Sequence, residues 1–247
     1  LDIKVFKFIV LASLSILLFI SLSGCAGTMQ AIKHREMSLS AKMSDTIFLD
    51  PETLMKNRKI FVRVTNTSDF QEIDFNGLLM GKLSAKGYSI TNDPSKAGYI
   101  VQANLLYLGE EREDLTADGM LAGGFGGALA GSTIGSGWRG PTAGALGGAV
   151  VGSVVGGLVG SMIHVDTYLG AVDIQIREIV EGGVIGVMET DAKQGAATTL
   201  KTQREVKSSH QEYRTRIVVQ AKQTNIKREV ACPAIADRLA TQIAGVF

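Results

Sequence analysis

GMLAGGFGGALAGSTIGSGWRGPTAGALGGAVVGSVVGGLVGSMI, residues 119–163, is the stretch on which the organisation of this chain turns. Arg139 is its only charged residue, and more than half of the chain's 29 glycines fall inside it. Gly119, Gly123, Gly127, Gly131 and Gly135 recur every fourth residue, and so do Gly140, Gly144, Gly148, Gly152, Gly156 and Gly160. That period keeps each set on one slowly drifting stripe of a helix, where small residues let two backbones approach closely. Between the stripes, Gly140 and Pro141 interrupt a helix, while Trp138 and Arg139 suit a membrane interface. The expectation is a transmembrane helical hairpin with Trp138 and Arg139 at its exposed tip. Its helices, 120–135 and 143–163, would measure about 24 and 32 Å at 1.5 Å per residue. A Gly/Ala/Ser-rich tract also suits a flexible linker. The apolar residues between the glycines, among them Leu121, Phe125, Leu129, Val150, Val154 and Leu158, favour the membrane.

Outward from this stretch the pattern is that of short strands and helices. Residues 59–65 alternate apolar and polar side chains, as a half-buried strand does, and end in Asn66-Thr67-Ser68. Residues 75–86 have the spacing of an amphipathic helix stopped by Gly87. A second strand is expected over 99–108. Beyond the glycine-rich stretch, Val172, Ile174 and Ile176 alternate with Asp173, Gln175 and Arg177, and 213–223 gives another strand. Ile235, Leu239, Ile243 and Val246 form one face of a closing helix over 233–247, with Pro233 near its start. Residues 190–212 are polar and rich in Thr, Lys and Gln, an extended loop or ribbon. Residues 28–43 are expected to be helical and 51–57 a connector. The fold class is therefore α+β, a small sheet-and-helix domain with an inserted glycine-rich transmembrane helical hairpin.

The N-terminus carries Lys4 and Lys7, an apolar run over 8–22, and then Leu22-Ser23-Gly24-Cys25. These are the three regions of a secretory signal. The cysteine directly after Leu-Ser-Gly resembles the lipobox of bacterial lipoproteins, so cleavage before Cys25 and lipid on its thiol are expected. A run of about 15 residues is short for a spanning helix, which needs about 20. The only cofactor-like group expected is that covalent lipid, diacylglycerol plus an N-acyl chain such as palmitate on Cys25. Several acyl chains on one residue hold firmly where a single chain binds marginally. Ala26 after the cysteine points to the outer membrane of a Gram-negative bacterium. The resulting segments are a signal peptide (1–24), an anchor and helical segment (25–57), the first part of the α+β domain (58–118), the hairpin (119–163) and the second part with the closing helix (164–247).

Composition narrows the function. A net charge of +1 in 247 residues gives no electrostatic footprint for nucleic acid. With Cys25 committed to lipid, Cys232 has no intrachain partner and reads as a lone buried thiol. His34, His164 and His210 stand apart, without metal-ligand spacing. The Gly124-Phe125-Gly126-Gly127 run lacks the Lys-Ser/Thr of a phosphate loop. Glu110, Glu111, Glu113 and Asp114 form a solvated acidic flank. No catalytic constellation and no metal site is expected, and so no enzyme.

Met29-Gln30-Ala31-Ile32-Lys33, Met43-Ser44-Asp45-Thr46-Ile47-Phe48-Leu49, Val64-Thr65-Asn66-Thr67-Ser68, Ala85-Lys86-Gly87-Tyr88 and Val101-Gln102-Ala103-Asn104-Leu105 follow the lipobox in order. With Val172-Asp173-Ile174-Gln175-Ile176 and Tyr213-Arg214-Thr215-Arg216-Ile217-Val218, the chain resembles the TraT family of conjugative-plasmid lipoproteins. The resemblance implies an outer-membrane homo-oligomer, for which the glycine stripes on two short helices suit a ring-like architecture. It would mediate surface exclusion, reducing stable mating contact with donors that carry a related plasmid, and contribute to complement resistance. Implied partners are further copies, outer-membrane lipids and donor-cell surface or pilus proteins. The helix-packing role falls to Gly123, Gly127, Gly131, Gly135, Gly144, Gly148, Gly152, Gly156 and Gly160. The alternative is a structural glycine-zipper envelope lipoprotein or an oligomeric pore with no part in mating.

Overall fold

The computed structural model describes residues 34–112, 115–126, 164–194 and 198–247. They form one six-stranded mixed sheet with helices on its faces. In chain order the elements are β1 (Ser38–Met43), α1 (Pro51–Lys56), β2 (Lys59–Asn66), α2 (Phe75–Ala85), β3 (Ser89–Ile90), a 3₁₀ turn (Pro94–Lys96), β4 (Tyr99–Glu110), α3 (Ala117–Ala122), β5 (Val165–Gln194), β6 (Thr198–Thr224) and α4 (Arg228–Ala244). Strand order across the sheet is β1-β6-β5-β4-β2-β3. From β1 to β4 each neighbour is antiparallel, whereas β4, β2 and β3 run parallel. Parallel neighbours need a crossover, and α2 supplies it between β2 and β4.

Local chemistry sets the helix ends. The Asp74 carboxylate accepts from the Gly77 amide at 2.8 Å and caps the start of α2. Gly87, at φ 86°, takes the left-handed conformation that ends it. Phe75, Leu79 and Leu83, four residues apart, are the buried stripe of α2. In α4, Ile235, Leu239 and Ile243 are buried along with Ala231, Cys232, Ala236, Ala240 and Ala244. The alanines let α4 lie close on the sheet, and Gly170 of β5 sits under it. A Cβ there would collide with Ile235 and stand 3.1 Å from Leu239 Cδ1. The two helices share one face of the sheet, over Val101, Ala103, Leu105, Val172, Ile174, Ile176, Ile217 and Val219. Phe247 closes that core edge-on to Tyr88 and Tyr99, at ring centroid distances of 5.7 and 5.4 Å. On the opposite face α3 covers a smaller cluster of Tyr107, Met120, Leu169, Ala171 and Val218.

The expectation of a small α+β domain with an inserted transmembrane helical hairpin is corrected. Sheet dominates, and among the described residues no helix is long and apolar enough to cross a membrane. The first hairpin helix, expected over 120–135, ends at Ala122 with Gly123 as its cap. Gly124 and Gly126 then take positive φ values of 58° and 70°, a conformation incompatible with a continuing right-handed helix. The Gly126 amide is drawn instead to Asp173 Oδ2 at 2.8 Å. The remainder of that stretch, 127–163, lies outside the described residues.

Three smaller readings also change. Residues 38–43 form an edge strand rather than a helix, paired from Ser38↔Lys222 to Met43↔Ile217. The 51–57 connector contains α1, started by the Asp50 side chain and Pro51. Helix α4 begins at Arg228, so Pro233 lies inside it and forgoes one intrahelical hydrogen bond. Within the polar 190–212 stretch, 190–194 and 198–212 are ribbon. They belong to β5 and β6, whose pairing continues to Gln194↔Thr198.

Candidate functional site

Chain direction places the distinctive features at two opposite ends of the sheet. β4 runs from Tyr99, opposite Glu178, to Glu110, opposite Tyr168. The chain that leaves β4 and returns to β5 therefore departs from the Glu110 end, and the β5–β6 hairpin extends from the Glu178 end. At the Glu110 end, the Thr224 amide donates to the His34 carbonyl and the Asn225 amide to the His164 carbonyl, both at 2.9 Å. Asn225, at φ 51°, also accepts from the His164 amide through its side chain at 3.1 Å. One turn after β6 thus gathers the chain arriving from the N-terminal segment and the chain arriving from 127–163.

A buried ion pair lies midway between the two ends. Asp173 and Arg216 stand opposite each other on β5 and β6. Arg216 Nε donates to Asp173 Oδ1 at 2.6 Å and its Nη2 to Oδ2 at 3.0 Å. The Arg216 Nη1 group reaches across to the Met120 carbonyl at 2.9 Å. The pair therefore holds both strands, the C-terminal part of α3 and the Gly126 amide together. Beside it, a groove of about 270 Å³ is lined by Arg63, Thr65, Gln102, Asn104, Gln175 and Phe125. The Arg214 guanidinium lies over the Phe125 ring, 5.4 Å from its centroid.

At the other end a buried carboxylate gathers the chain. Glu178 accepts from the Tyr99 hydroxyl at 3.1 Å, the Tyr213 hydroxyl at 3.1 Å and the Asp50 amide at 3.0 Å. Burial raises both tyrosine pKa values, with the nearby Glu178 charge adding to the effect, so these hydroxyls stay donors. Past this knot β5 and β6 leave the sheet. The step between Ile179 and Val184 breaks the register, with Gly182 and Gly183 at φ 86° and 74°. Pairing resumes at Val184↔Ser208 and runs to Gln194↔Thr198. At roughly 3.4 Å per residue this two-stranded arm extends about 35 Å. Ile185 and Val187 on the arm are 73% and 71% exposed, and Phe48 and Met55 at its base are 81% and 85% exposed.

The site residues expected from the sequence distribute unevenly. Gly123 caps α3 in right-handed conformation. Cys25, Gly127, Gly131, Gly135, Gly144, Gly148, Gly152, Gly156, Gly160, Trp138 and Arg139 lie outside the described residues. Cys232 is fully buried, and burial raises its thiol pKa. Among the described residues no group of three or more His, Cys, Asp or Glu side chains is placed to hold a metal ion. The Asp173–Arg216 pair and the Glu178 knot had no sequence signature, because each depends on which strand lies beside which, whereas the polar 190–212 stretch had marked part of the arm as loop or ribbon.

Comparison with known proteins adds a family. The family model described as "Enterobacterial TraT complement resistance protein" matches residues 36–247. A TraT complement resistance protein of Escherichia coli is 32% identical over 234 residues, covering 92% of this chain and 94% of that protein. A second E. coli protein of that name is 34% identical over 232 residues, covering 92% of each. One from Wigglesworthia glossinidia brevipalpis is 33% identical over 86 residues, 35% of each chain.

Proposed function

The chain belongs to the TraT family, and from that premise we propose that it is an outer-membrane lipoprotein that shields its cell from complement and from redundant mating contact. The observation that carries this reading is the match to TraT complement resistance proteins along 92% of the chain. The two-ended sheet supports it. Lipid on Cys25 would hold the end where His34 and His164 meet Asn225, and the arm would then point away from the membrane. The proposed role is steric rather than catalytic. Multiple copies, tethered through their lipids, present the sheet and arm as a barrier to complement assembly and to donor-cell surface or pilus proteins.

Expression in a serum-sensitive, plasmid-free recipient tests this. Survival in active serum is expected to rise, with no difference in heat-inactivated serum, and transfer from a donor carrying a related plasmid is expected to fall. Cys25→Ser, which removes the lipid acceptor, should abolish both effects. Unchanged survival would remove the complement role, and unchanged transfer would remove the exclusion role.

A further inference from the structure

The face of the sheet turned away from α2 and α4 carries two polar rows. Register places Arg63, Gln102, Gln175 and Arg214 side by side across β2, β4, β5 and β6, and Thr65, Asn104, Asp173 and Arg216 in the next row. At about 4.8 Å between strands, the two arginines that end the first row stand about 14 Å apart. Between them Gln102, Asn104 and Gln175 are half-buried in the groove of about 270 Å³. Asn104 Oδ1 accepts from Thr65 Oγ1 at 2.9 Å and from Thr67 Oγ1 at 3.3 Å, which leaves its Nδ2 hydrogens without a partner among the described residues. The side chains of Arg63, Gln102 and Gln175 likewise have no hydrogen bond or ion pair among the described residues. Phe125 lines the same groove and belongs to neither apolar cluster. Gly124 and Gly126, with the Gly126 amide on Asp173, carry its ring to this polar face, where Arg214 packs on it.

These groups select a ligand by elimination. Asp173 is paired with Arg216 and Glu212 with Arg214, so the charge left over in the two rows is that of Arg63, which opposes a cation. An apolar ligand would bury the amides unpaired. Phosphate or sulfate offers acceptors only and would set the Gln102 and Gln175 carbonyl oxygens against a like charge. A sugar hydroxyl both donates and accepts, as each side-chain amide does. The C–H face of a sugar ring is polarised to suit the negative face of an aromatic ring. A guanidinium without a partner takes a carboxylate through two parallel bonds. We propose that the groove between Arg63 and Phe125 binds a saccharide bearing a carboxylate, a uronic acid residue, with its hydroxyls on Gln102, Asn104 and Gln175 and its carboxylate on Arg63. The groove lies at the small end of ligand pockets and suits one such ring. The site stands on the register and the groove, independently of the complement and mating roles.

Saturation-transfer NMR with methyl glucuronide and the full-length lipidated chain, held in a sugar-free detergent, tests it. Methyl glucoside and inorganic sulfate serve as comparison probes. The glucuronide is expected to receive magnetisation and to bind about tenfold more tightly than the glucoside, the worth of one charge-assisted contact. Arg63→Gln should erase that preference and leave glucoside binding in place. Gln102→Leu with Gln175→Leu should weaken both sugars about tenfold or more, at an unchanged thermal midpoint. Arg63 is exposed, so its substitution keeps the test independent of folding. No transfer to the glucuronide, its displacement by an equal concentration of sulfate, a preference that survives Arg63→Gln, or full binding by the folded double variant would each overturn the proposal.

Discussion

Arg216 and Asp173 show how one residue pair carries more than its own bond. Both are buried, and their four charge-assisted contacts join β5, β6, α3 and the chain after Gly124. Removing one partner leaves an uncompensated buried charge, which costs about 3–5 kcal/mol. Arg216→Met is accordingly expected to lower the urea unfolding free energy by about that amount, and Arg216→Met with Asp173→Leu to recover much of the loss. A single variant as stable as the parent would contradict the role given to the pair. Gly170 makes a second residue-scale case. Gly170→Ala would push a methyl group into Ile235 and against Leu239 Cδ1, and overpacking of this kind costs about 1–3 kcal/mol. A fall in the thermal midpoint is the expected result, and an unchanged midpoint would show that α4 can shift. The alternation of Val172, Ile174 and Ile176 was legible because a strand's side chains have period two. The fate of Asp173 was not, since alternation assigns it to the outer face and only α3 makes that face buried.

At the scale of elements, α2 and α4 were legible because helical spacing of large apolar residues survives in any context that buries one face. β1 was missed because an edge strand receives its stability from backbone pairing with β6, which leaves little pattern in its own side chains. The glycine-rich reading erred for a related reason. Four-residue spacing says which residues would align if a helix formed, and says nothing of what else could take the backbone, as Asp173 takes the Gly126 amide. The arm's base makes a pH-dependent prediction. His210, opposite Ile179, has its pKa lowered by burial and by the nearby Arg177 charge. Its folded pKa lies below the unfolded value, so the fold opposes protonation. The associated stability is present above about pH 6.5 and is lost as pH falls through the folded pKa. Amide exchange at Ile179 and His210, corrected for its intrinsic rate, should quicken between about pH 7.5 and pH 5.5. His210→Gln should abolish that difference, and equal protection at both pH values in the parent would contradict it.

For the whole molecule, the two ends of the sheet are the central result. Composition and the signal-like N-terminus pointed to a membrane-tethered protein without catalytic chemistry, and the ordered motifs placed it near its family. Neither could show that the chain at His34 and the chain at His164 meet at one end while the arm leaves from the other, because strand direction and neighbour order are properties of the assembled sheet. That polarity gives the proposed lipoprotein an outside. Cells expressing the Val187→Cys protein can be treated with a maleimide that does not cross the outer membrane. If the lipid end faces the membrane and the arm faces the surroundings, intact cells label at Val187→Cys while the parent protein, whose Cys232 is buried, does not. Labelling that appears only after the outer membrane is permeabilised would contradict the account.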